Sequence, residues 1–171
     1  MSLGHPTRKL SSFPLGALNV LVSWVKTEQD LALWSGNTFR NGFSRLTMER
    51  HLKRSDLDSF AYLDEKKNLL CYADIVRKDS RTAVLCRVIV HPNHRRKGLG
   101  KEFCEDLLQW AKNNGNYLEV HLNTLGRNKP ALACYESLGF TTLLIKPNCR
   151  KVCGKWQDLV IMALHLKYFS R

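Results

Sequence analysis

Residues 85–140 decide the fold, and they read LCRVIVHPNHRRKGLGKEFCEDLLQWAKNNGNYLEVHLNTLGRNKPALACYESLGF. The stretch begins with a nearly continuous apolar run, Leu85 to Val90, in which β-branched residues predict a buried strand. A basic glycine loop, an amphipathic helix, a second strand and a short helix that ends at Gly139 follow in that order. Such an alternation of strands and helices predicts an α/β domain.

The glycine loop, residues 95–101, opens a predicted helix and contains four cations: Arg95, Arg96, Lys97 and Lys101. Pro92 ends the first strand because it cannot donate to a sheet ladder. A helix N-terminus carries unpaired N–H groups and a positive dipole end, and glycines let backbone amides approach an anion closely. The loop therefore predicts a phosphate site, although a lone Gly-x-Gly is also compatible with a turn. The chain has no Gly-x-x-x-x-Gly-Lys-[Ser/Thr] phosphate loop. It also lacks the dinucleotide-binding pattern Gly-x-Gly-x-x-Gly, because Phe103 stands in place of the third glycine.

The second half of the stretch brings three side chains to one helical face. Asn128, Ala131 and Tyr135 are spaced i, i+3 and i+7. In the preceding strand, Tyr117 to Leu122, the two-residue period places Tyr117, Glu119 and His121 on one face. Taken separately, Tyr135 is also compatible with a core aromatic and Asn128 with a helix cap.

Together, the patterns Arg-x-x-Gly-x-Gly and Asn-x-x-Ala-x-x-x-Tyr-x-x-x-Gly-Phe resemble the GNAT superfamily of N-acetyltransferases. The resemblance implies a single domain, an α/β fold with a mixed, largely antiparallel sheet of six to seven strands flanked by about four helices. It implies acetyl-CoA as co-substrate and acetyl transfer to a primary amine. The implied cofactor-binding residues are Val88, Ile89 and Val90 for the pantetheine arm, Arg95, Arg96, Lys97, Gly98, Leu99, Gly100 and Lys101 around the pyrophosphate, and Asn128.

Three shorter segments, 118–120, 135–140 and 161–164, are similar to the bacterial ribosomal-protein N-terminal-alanine acetyltransferases. That resemblance implies Glu119 as the general base and Tyr135 as the proton donor to the departing thiolate. His121 is an alternative base because it shares the face of Glu119. The chain departs from that family in two places: residues 120–127 look like a longer loop, and residues 149–156 are strongly basic.

The composition favours anionic partners. The chain has 171 residues with 27 Lys and Arg against 15 Asp and Glu, a net charge of +12. No nucleic-acid motif is present, so a nucleic-acid partner is not expected. A cofactor with several phosphate charges explains part of the positive charge, and a solvated basic face is the alternative explanation of the rest. One cluster, Lys146, Arg150, Lys151 and Lys155, lies between the last two predicted strands and disfavours a polyamine acceptor. An amine-bearing protein or peptide is therefore expected ahead of a small molecule, and a non-catalytic acyl-CoA-binding module is a further alternative.

The N-terminal residues and the cysteines bear on location. Residues 1–12 are expected to form a loose leader before a domain at 13–171, with Leu18 to Ser23 as the first strand. The apolar stretch 13–25 is too short to span a bilayer. Four of the six cysteines fall in predicted strands or helices as small buried residues, no metal site is expected, and a reducing cytoplasm fits best.

The remaining elements follow from caps, turns and periodicity. Thr27 is expected to cap a helix that runs through Trp34, and a second short helix is expected near Met48 to Lys53. The other predicted strands are 59–63, 69–77, 83–90, 141–146 and 159–166.

Overall fold

The computed structural model describes residues 8–170, which form one seven-stranded sheet with helices on both faces. The strands, in chain order, are β1 (Leu10–Ser12), β2 (Leu57–Leu63), β3 (Leu69–Arg77), β4 (Thr82–Val90), β5 (Glu119–Leu125), β6 (Thr141–Val152) and β7 (Lys155–His165). The helices are α1 (Leu18–Ser23), α2 (Glu28–Ser35), α3 (Arg45–Leu52), α4 (Leu99–Asn113) and α5 (Lys129–Ser137), with single 3-10 turns at Leu15–Ala17, Pro92–His94 and Leu166–Tyr168.

The sheet order is β1-β2-β3-β4-β5-β7-β6, and its neighbouring strands are antiparallel except for β4 and β5. These two parallel strands pair only from Thr82 opposite Glu119 to Leu85 opposite Leu122. Beyond that point each strand continues without the other. The predicted mixed, largely antiparallel sheet in a single α/β domain is confirmed, with five helices within residues 8–170 instead of about four.

Local sequence signals explain the first long helices. The Thr27 hydroxyl accepts a hydrogen bond from the Asp30 amide at 3.0 Å, and the Asp30 carboxylate accepts one from the Thr27 amide at 3.2 Å. This reciprocal capping box fixes the start of α2, as predicted. Ser44 and Thr47 form a second box at the start of α3, which confirms the short helix expected near Met48.

The predicted N-terminal elements are wrong. Leu18–Ser23 forms helix α1, in which Leu18 and Leu21 are buried one turn apart. A six-residue apolar run does not by its periodicity distinguish a buried strand from a buried helix. The first strand is instead Leu10–Ser12, paired with β2, so the loose leader does not extend to residue 12. Residues 1–7 of that leader lie outside the described residues.

Two hydrophobic layers hold the helices against the sheet. On one face, Phe103, Leu107 and Leu108 of α4 pack with strand residues that include Leu85 and Val120, which confirms the predicted apolar face of that helix. On the other face, α1, α2 and α3 pack over Ala61, Tyr72 and Ile89. No helix within residues 8–170 has the length and apolar character needed to cross a membrane.

The segment before β5 differs from its prediction. Tyr117 precedes the strand and is buried in the α4 layer, whereas Leu118 is 43% exposed. Tyr117 therefore does not share a face with Glu119 and His121. The segment 120–127, expected to be a long loop, is mostly strand β5.

Candidate active site

The divergence of β4 from β5 opens a cleft of about 750 Å³ beside the end of β4. The cleft is bounded by β4, the first turn of α4, helix α5 and helix α2. It brings together every predicted site residue except Lys97, Leu99 and Glu119, namely Val88, Ile89, Val90, Arg95, Arg96, Gly98, Gly100, Lys101, Asn128 and Tyr135. One groove thus contains the glycine loop, the strand edge and the Asn–Tyr helix face.

The glycine loop has the backbone that an anion site requires. Gly98 caps α4 with a φ of 78° and offers no side-chain acceptor, so the first amides of the helix are not capped by it. A Cβ at Gly100 would lie 3.3 Å from Val90 Cγ2, so the loop and the strand are in close contact there. These features fit a phosphate group held by backbone N–H groups.

Charged side chains surround the same loop. Arg95, Arg96 and Lys101 line the cleft, and Arg95 Nε donates to the Val90 carbonyl at 3.1 Å. Two predicted side chains point elsewhere: Lys97 Nζ donates to the Asn93 carbonyl at 3.0 Å, and Leu99 is buried in the core. In this structure neither the Lys97 nor the Leu99 side chain lines the cleft.

Helix α5 presents Asn128 and Tyr135 to the cleft. Asn128 stands at the N-cap, but its side chain makes no capping hydrogen bond, so the amide is not occupied by that alternative role. The helix ends in a Schellman motif, with Gly139 at a φ of 94° and the Phe140 amide donating to the Tyr135 carbonyl at 3.1 Å. This ending fixes the last turn of α5, on which Tyr135 lies.

The Tyr135 side chain is both a packing group and a cleft group. Its ring packs against the core and lies edge-on to Phe140, with centroids 5.9 Å apart. Burial raises the pKa of the Tyr135 phenol well above its usual value. The phenol is therefore protonated at neutral pH.

A β-bulge in β4 turns Arg87 out of the regular ladder. Arg87 has a φ of 54°, and it shares with Val88 the position opposite Ala73 of β3. The Arg87 carbonyl accepts a hydrogen bond of 2.6 Å from Trp34 Nε1. The bulge thus ties β4 to α2 at the point where the cleft begins.

A buried carboxylate anchors the Arg87 side chain. Asp74 is fully buried, and it accepts hydrogen bonds from Arg87 Nε and from the Ser59 and Tyr72 hydroxyls, the last two at 2.5 Å. Its Oδ2 also lies 2.9 Å from His51 Nε2. Burial alone would raise the pKa of Asp74, but the hydrogen bond from His51 and the charge of Arg87 outweigh it and lower that pKa.

We expect Asp74→Ala to reduce the free energy of unfolding by about 3–5 kcal/mol, because it leaves the Arg87 guanidinium buried without its counterion. Because the pKa of Asp74 is lowered in the folded state, its contribution is present above the unfolded value of about 3.9 and is lost as the pH falls through the lower folded value. Urea unfolding across this pH range measures both effects.

Asp56→Ala is the matched control for this prediction. Asp56 pairs with Arg54 at 2.6 Å, but both side chains are largely exposed, so the control should cost less than about 1 kcal/mol. An equal reduction in the free energy of unfolding in the two variants would contradict a structural role for the buried network.

A second, smaller cavity of about 240 Å³ lies on the β5 side of the same divergence. It is lined by the end of α2, by residues 85–87 of β4, by Asn123–Leu125 of β5 and by Arg150–Val152 of β6. Leu33 and Trp34 line both cavities. The two cavities therefore adjoin at α2, next to Arg87.

The predicted basic cluster divides around this smaller cavity. Arg150 and Lys151 line it, whereas Lys146 and Lys155 do not. The strands are longer than predicted, so the cluster lies largely within β6 and β7 and only Cys153 and Gly154 form the turn. Arg150 packs over the end of α2, where a Cβ on Gly36 would lie 3.1 Å from Arg150 Nη1.

The structure separates Glu119 from the other predicted site residues. Glu119 pairs with Thr82 at the start of β5, where β4 and β5 are still joined, and its carboxylate lies 3.1 Å from His121 Nε2. The β5 residue on the same strand face that reaches the smaller cavity is Asn123, four residues later or about 13 Å along the strand. This geometry does not support Glu119 as the general base.

The segment between Glu119 and Asn128 was expected to be a longer loop than in the similar family, and in the structure it is mostly strand β5. Arg87 was also missed, although a lone charge in an apolar strand beside another strand that contains Asp74 predicts a buried pair. Trp34 was assigned only to the apolar face of a helix.

Comparisons with known proteins agree with this geometry. Residues 28–140 match the family described as Acetyltransferase (GNAT) family. The L-amino acid N-acyltransferase MnaT of Escherichia coli is 34% identical over 79 residues, which are 46% of this chain and 45% of that protein. The ribosomal protein bS18-alanine N-acetyltransferase of Escherichia coli is 34% identical over 82 residues, 48% of this chain and 55% of that protein. The chain thus spans about half the length of the curated relatives it matches.

The fold is shared with a solved structure. The crystal structure of spermidine N-acetyltransferase from Vibrio cholerae in complex with CoA and spermine has a TM-score of 0.82 to this chain. The alignment covers 94% of this chain and 96% of that one at 19% identity. The family match covers more than half of the sequence and includes the glycine loop and the Asn128–Tyr135 helix. The chain belongs to the acetyltransferase (GNAT) family.

Proposed function

We propose that this protein is an acetyl-CoA-dependent N-acetyltransferase that moves an acetyl group to a primary amine. The observation that carries the proposal is the single cleft that contains the glycine loop, the diverging edge of β4, Asn128 and Tyr135. Binding groups and a proton donor for a thioester substrate are thereby assembled in one place.

The cleft supplies a suitable group for each part of acetyl-CoA. The pyrophosphate fits the amides at the start of α4 with Arg95, Arg96 and Lys101 around them. The pantetheine arm fits the edge of β4 at 88–90, because the ladder to β5 ends at Leu85 and no strand pairs with this edge beyond it. Asn128 offers an amide that can hydrogen-bond to the same arm.

This direction of binding places the thioester where the two cavities adjoin. The arm would run from the glycine loop along Val90 and Val88 towards Arg87, which lines the smaller cavity. The acceptor amine would then approach from the smaller cavity.

The proposed reaction is a direct acyl transfer. A neutral amine attacks the carbonyl carbon, and a new C–N bond forms while the C–S bond breaks. Backbone amides near Val88, at the Arg87 end of the strand edge, can stabilise the negative charge that develops on the carbonyl oxygen. Tyr135 donates its proton to the departing sulfur, the amine nitrogen loses its proton to water, and a proton from water then restores the Tyr135 phenol.

The lining of the cavities supports an amine that needs little help to lose its proton. The larger cleft is lined by one carboxylate, Asp30, which already accepts a hydrogen bond from the Thr27 amide, and the smaller cavity has neither an acidic residue nor a histidine in its lining. An α-amine has a pKa of about 8, against about 10.4 for a lysine. On pKa, a peptide α-amine therefore ranks ahead of a lysine or a polyamine.

A small-molecule amine is the second candidate. The smaller cavity, about 240 Å³, is below the usual size range of ligand pockets and suits a small acceptor. The relatives include an L-amino acid N-acyltransferase as well as a ribosomal-protein N-acetyltransferase, so both acceptor classes occur among proteins similar to this chain.

An acceptor screen tests the proposal. The protein and acetyl-CoA are incubated with peptides that have free N-termini, amino acids and polyamines, and released thiol and acetylated product are both measured. We expect turnover with at least one α-amine and none with spermidine. Acetyl-CoA binding by calorimetry without turnover of any amine would instead favour a non-catalytic acyl-CoA-binding module.

We also propose a cytoplasmic location. All six cysteines are free thiols, which is typical of proteins in a reducing compartment.

A further inference from the structure

Two arginines in the smaller cavity have buried nitrogen atoms without partners. Arg87 Nη2 and Arg150 Nη1 are each inaccessible to solvent, and neither has a hydrogen-bond partner among residues 8–170. The Arg87 side chain is only 7% exposed, and both residues line the same cavity. Native proteins rarely leave buried donors unsatisfied, so these two guanidinium groups keep hydrogen-bonding capacity that residues 8–170 do not use.

The charges around this cavity favour a ligand with a single anionic group. Asp74 balances the charge of Arg87 through Nε. Arg150 makes no ion pair within residues 8–170, and Lys151 also lines the cavity, which has no acidic residue in its lining. The guanidinium fork matches the planar, two-oxygen geometry of a carboxylate.

The position of the cavity decides what this anion belongs to. It adjoins the cleft at Leu33 and Trp34, beside the bulge at Arg87. A ligand held by Arg87 and Arg150 would thus lie next to the thioester of the proposed function.

We infer that the smaller cavity binds the carboxylate of a free amino acid through Arg87 and Arg150, with the amine of that amino acid directed at the thioester. The inference rests on the proposed function and names its acceptor class. It places a free amino acid ahead of a protein N-terminus, because the first residue of a protein has no free α-carboxylate to occupy the arginines.

The same pair of arginines assists the chemistry. A neighbouring carboxylate favours the protonated form of an amine, and nearby cations favour the neutral form. Pairing the carboxylate with two guanidinium groups therefore promotes loss of the amine proton. This effect fits a cavity whose lining contains neither a carboxylate nor a histidine.

The test compares Arg150→Gln with Lys155→Gln, a matched loss of one cation on the same hairpin outside the cavity lining. Arg87 is left intact because its pairing with Asp74 supports the fold. Each protein is assayed with L-amino acids and their carboxamides, for example L-leucine and L-leucinamide. Because a carboxamide has the more acidic ammonium group, it would react faster if the carboxylate had no role.

We expect the parent protein to prefer L-amino acids over their carboxamides at least tenfold in kcat/KM. Arg150→Gln should lower kcat/KM for the amino acids about 10- to 100-fold, because it removes a charge-assisted hydrogen bond, and should leave the carboxamides and the KM for acetyl-CoA unchanged. It should also move the acidic limb of the pH profile to higher pH with amino acids only. Lys155→Gln should match the parent in every assay.

Three results would overturn the inference while leaving the acetyltransferase proposal in place: equal rates for the acids and their carboxamides, faster acetylation of O-phosphoethanolamine than of any amino acid, or turnover of peptides alone. If no acceptor is turned over, the proposed function fails, and saturation-transfer NMR with the same amino acids and CoA decides the site by itself. Binding that Arg150→Gln removes would support the carboxylate site, and absence of binding would refute it.

Discussion

Tyr135→Phe is expected to lower kcat by about 10²–10⁴-fold while acetyl-CoA affinity stays close to that of the parent. The substitution removes only the hydroxyl, so the ring still packs against the core and lies edge-on to Phe140. Because burial raises the pKa of this phenol, the parent residue is protonated at every pH near neutrality. The variant would bind the thioester but would have no proton for the departing sulfur, whose thiol has a pKa of about 8.5.

Steady-state kinetics and calorimetry separate these two effects. Tyr168→Phe is the matched control, because Tyr168 is 77% exposed and lies outside the cleft. The control should leave both kcat and cofactor affinity unchanged. A kcat for Tyr135→Phe equal to that of the parent would show that Tyr135 is a packing residue and not the acid.

Gly100→Val should abolish measurable acetyl-CoA binding in a domain that remains folded. A Cβ at this position already lies 3.3 Å from Val90 Cγ2, and the two further methyl groups of valine need space between the first turn of α4 and the end of β4. That space is part of the lining of the cleft, where backbone amides would contact the pyrophosphate. Loss of close approach there removes several hydrogen bonds to the cofactor together.

Calorimetry with acetyl-CoA measures this loss, and circular dichroism checks the fold. Gly16→Val provides the control, since a Cβ at Gly16 meets no atom within 4 Å and Gly16 does not line the cleft. Affinity in Gly100→Val equal to that of the control would mean that the glycine loop does not hold the pyrophosphate.

Much of the fold follows from local signals in the sequence. The strand predicted at Leu69 to Arg77 is found with those bounds, because an apolar run lies between clear turn signals. Thr27 starts a helix because its hydroxyl and the Asp30 carboxylate satisfy amides within one turn. Each of these features depends on residues a few positions apart.

The wrong predictions concern residues whose conformation depends on distant contacts. Leu18 and Leu21 are buried against β3 and α3 residues such as Tyr72 and Met48, and this packing selects a helix for a run that also suits a strand. Tyr117 is drawn into the α4 layer before the alternation of β5 begins. No local pattern specifies either contact.

The predictions for the candidate site divide in the same way, between patterns of nearby residues and contacts that the local pattern does not specify. The glycine loop and the Asn128–Tyr135 face are short-range patterns, and the structure places them in one cleft. The Arg87–Asp74 pair joins neighbouring strands and was missed. The approach of Arg150 to Gly36 joins residues far apart in sequence, so periodicity could not predict it. Glu119 was assigned from a three-residue match, and the structure places it at the start of β5, outside the lining of both cavities.

The short parallel pairing of β4 and β5 has a consequence for the cohesion of the molecule. β1–β4 form one antiparallel unit and β5–β7 another, and four residue pairs are the ladder between them. A molecule in the cleft contacts β4 of the first unit and α5, the helix that connects β5 to β6 of the second, so its binding free energy adds to that of a narrow seam. We therefore expect acetyl-CoA to raise the resistance of the folded protein to heat and to proteolysis.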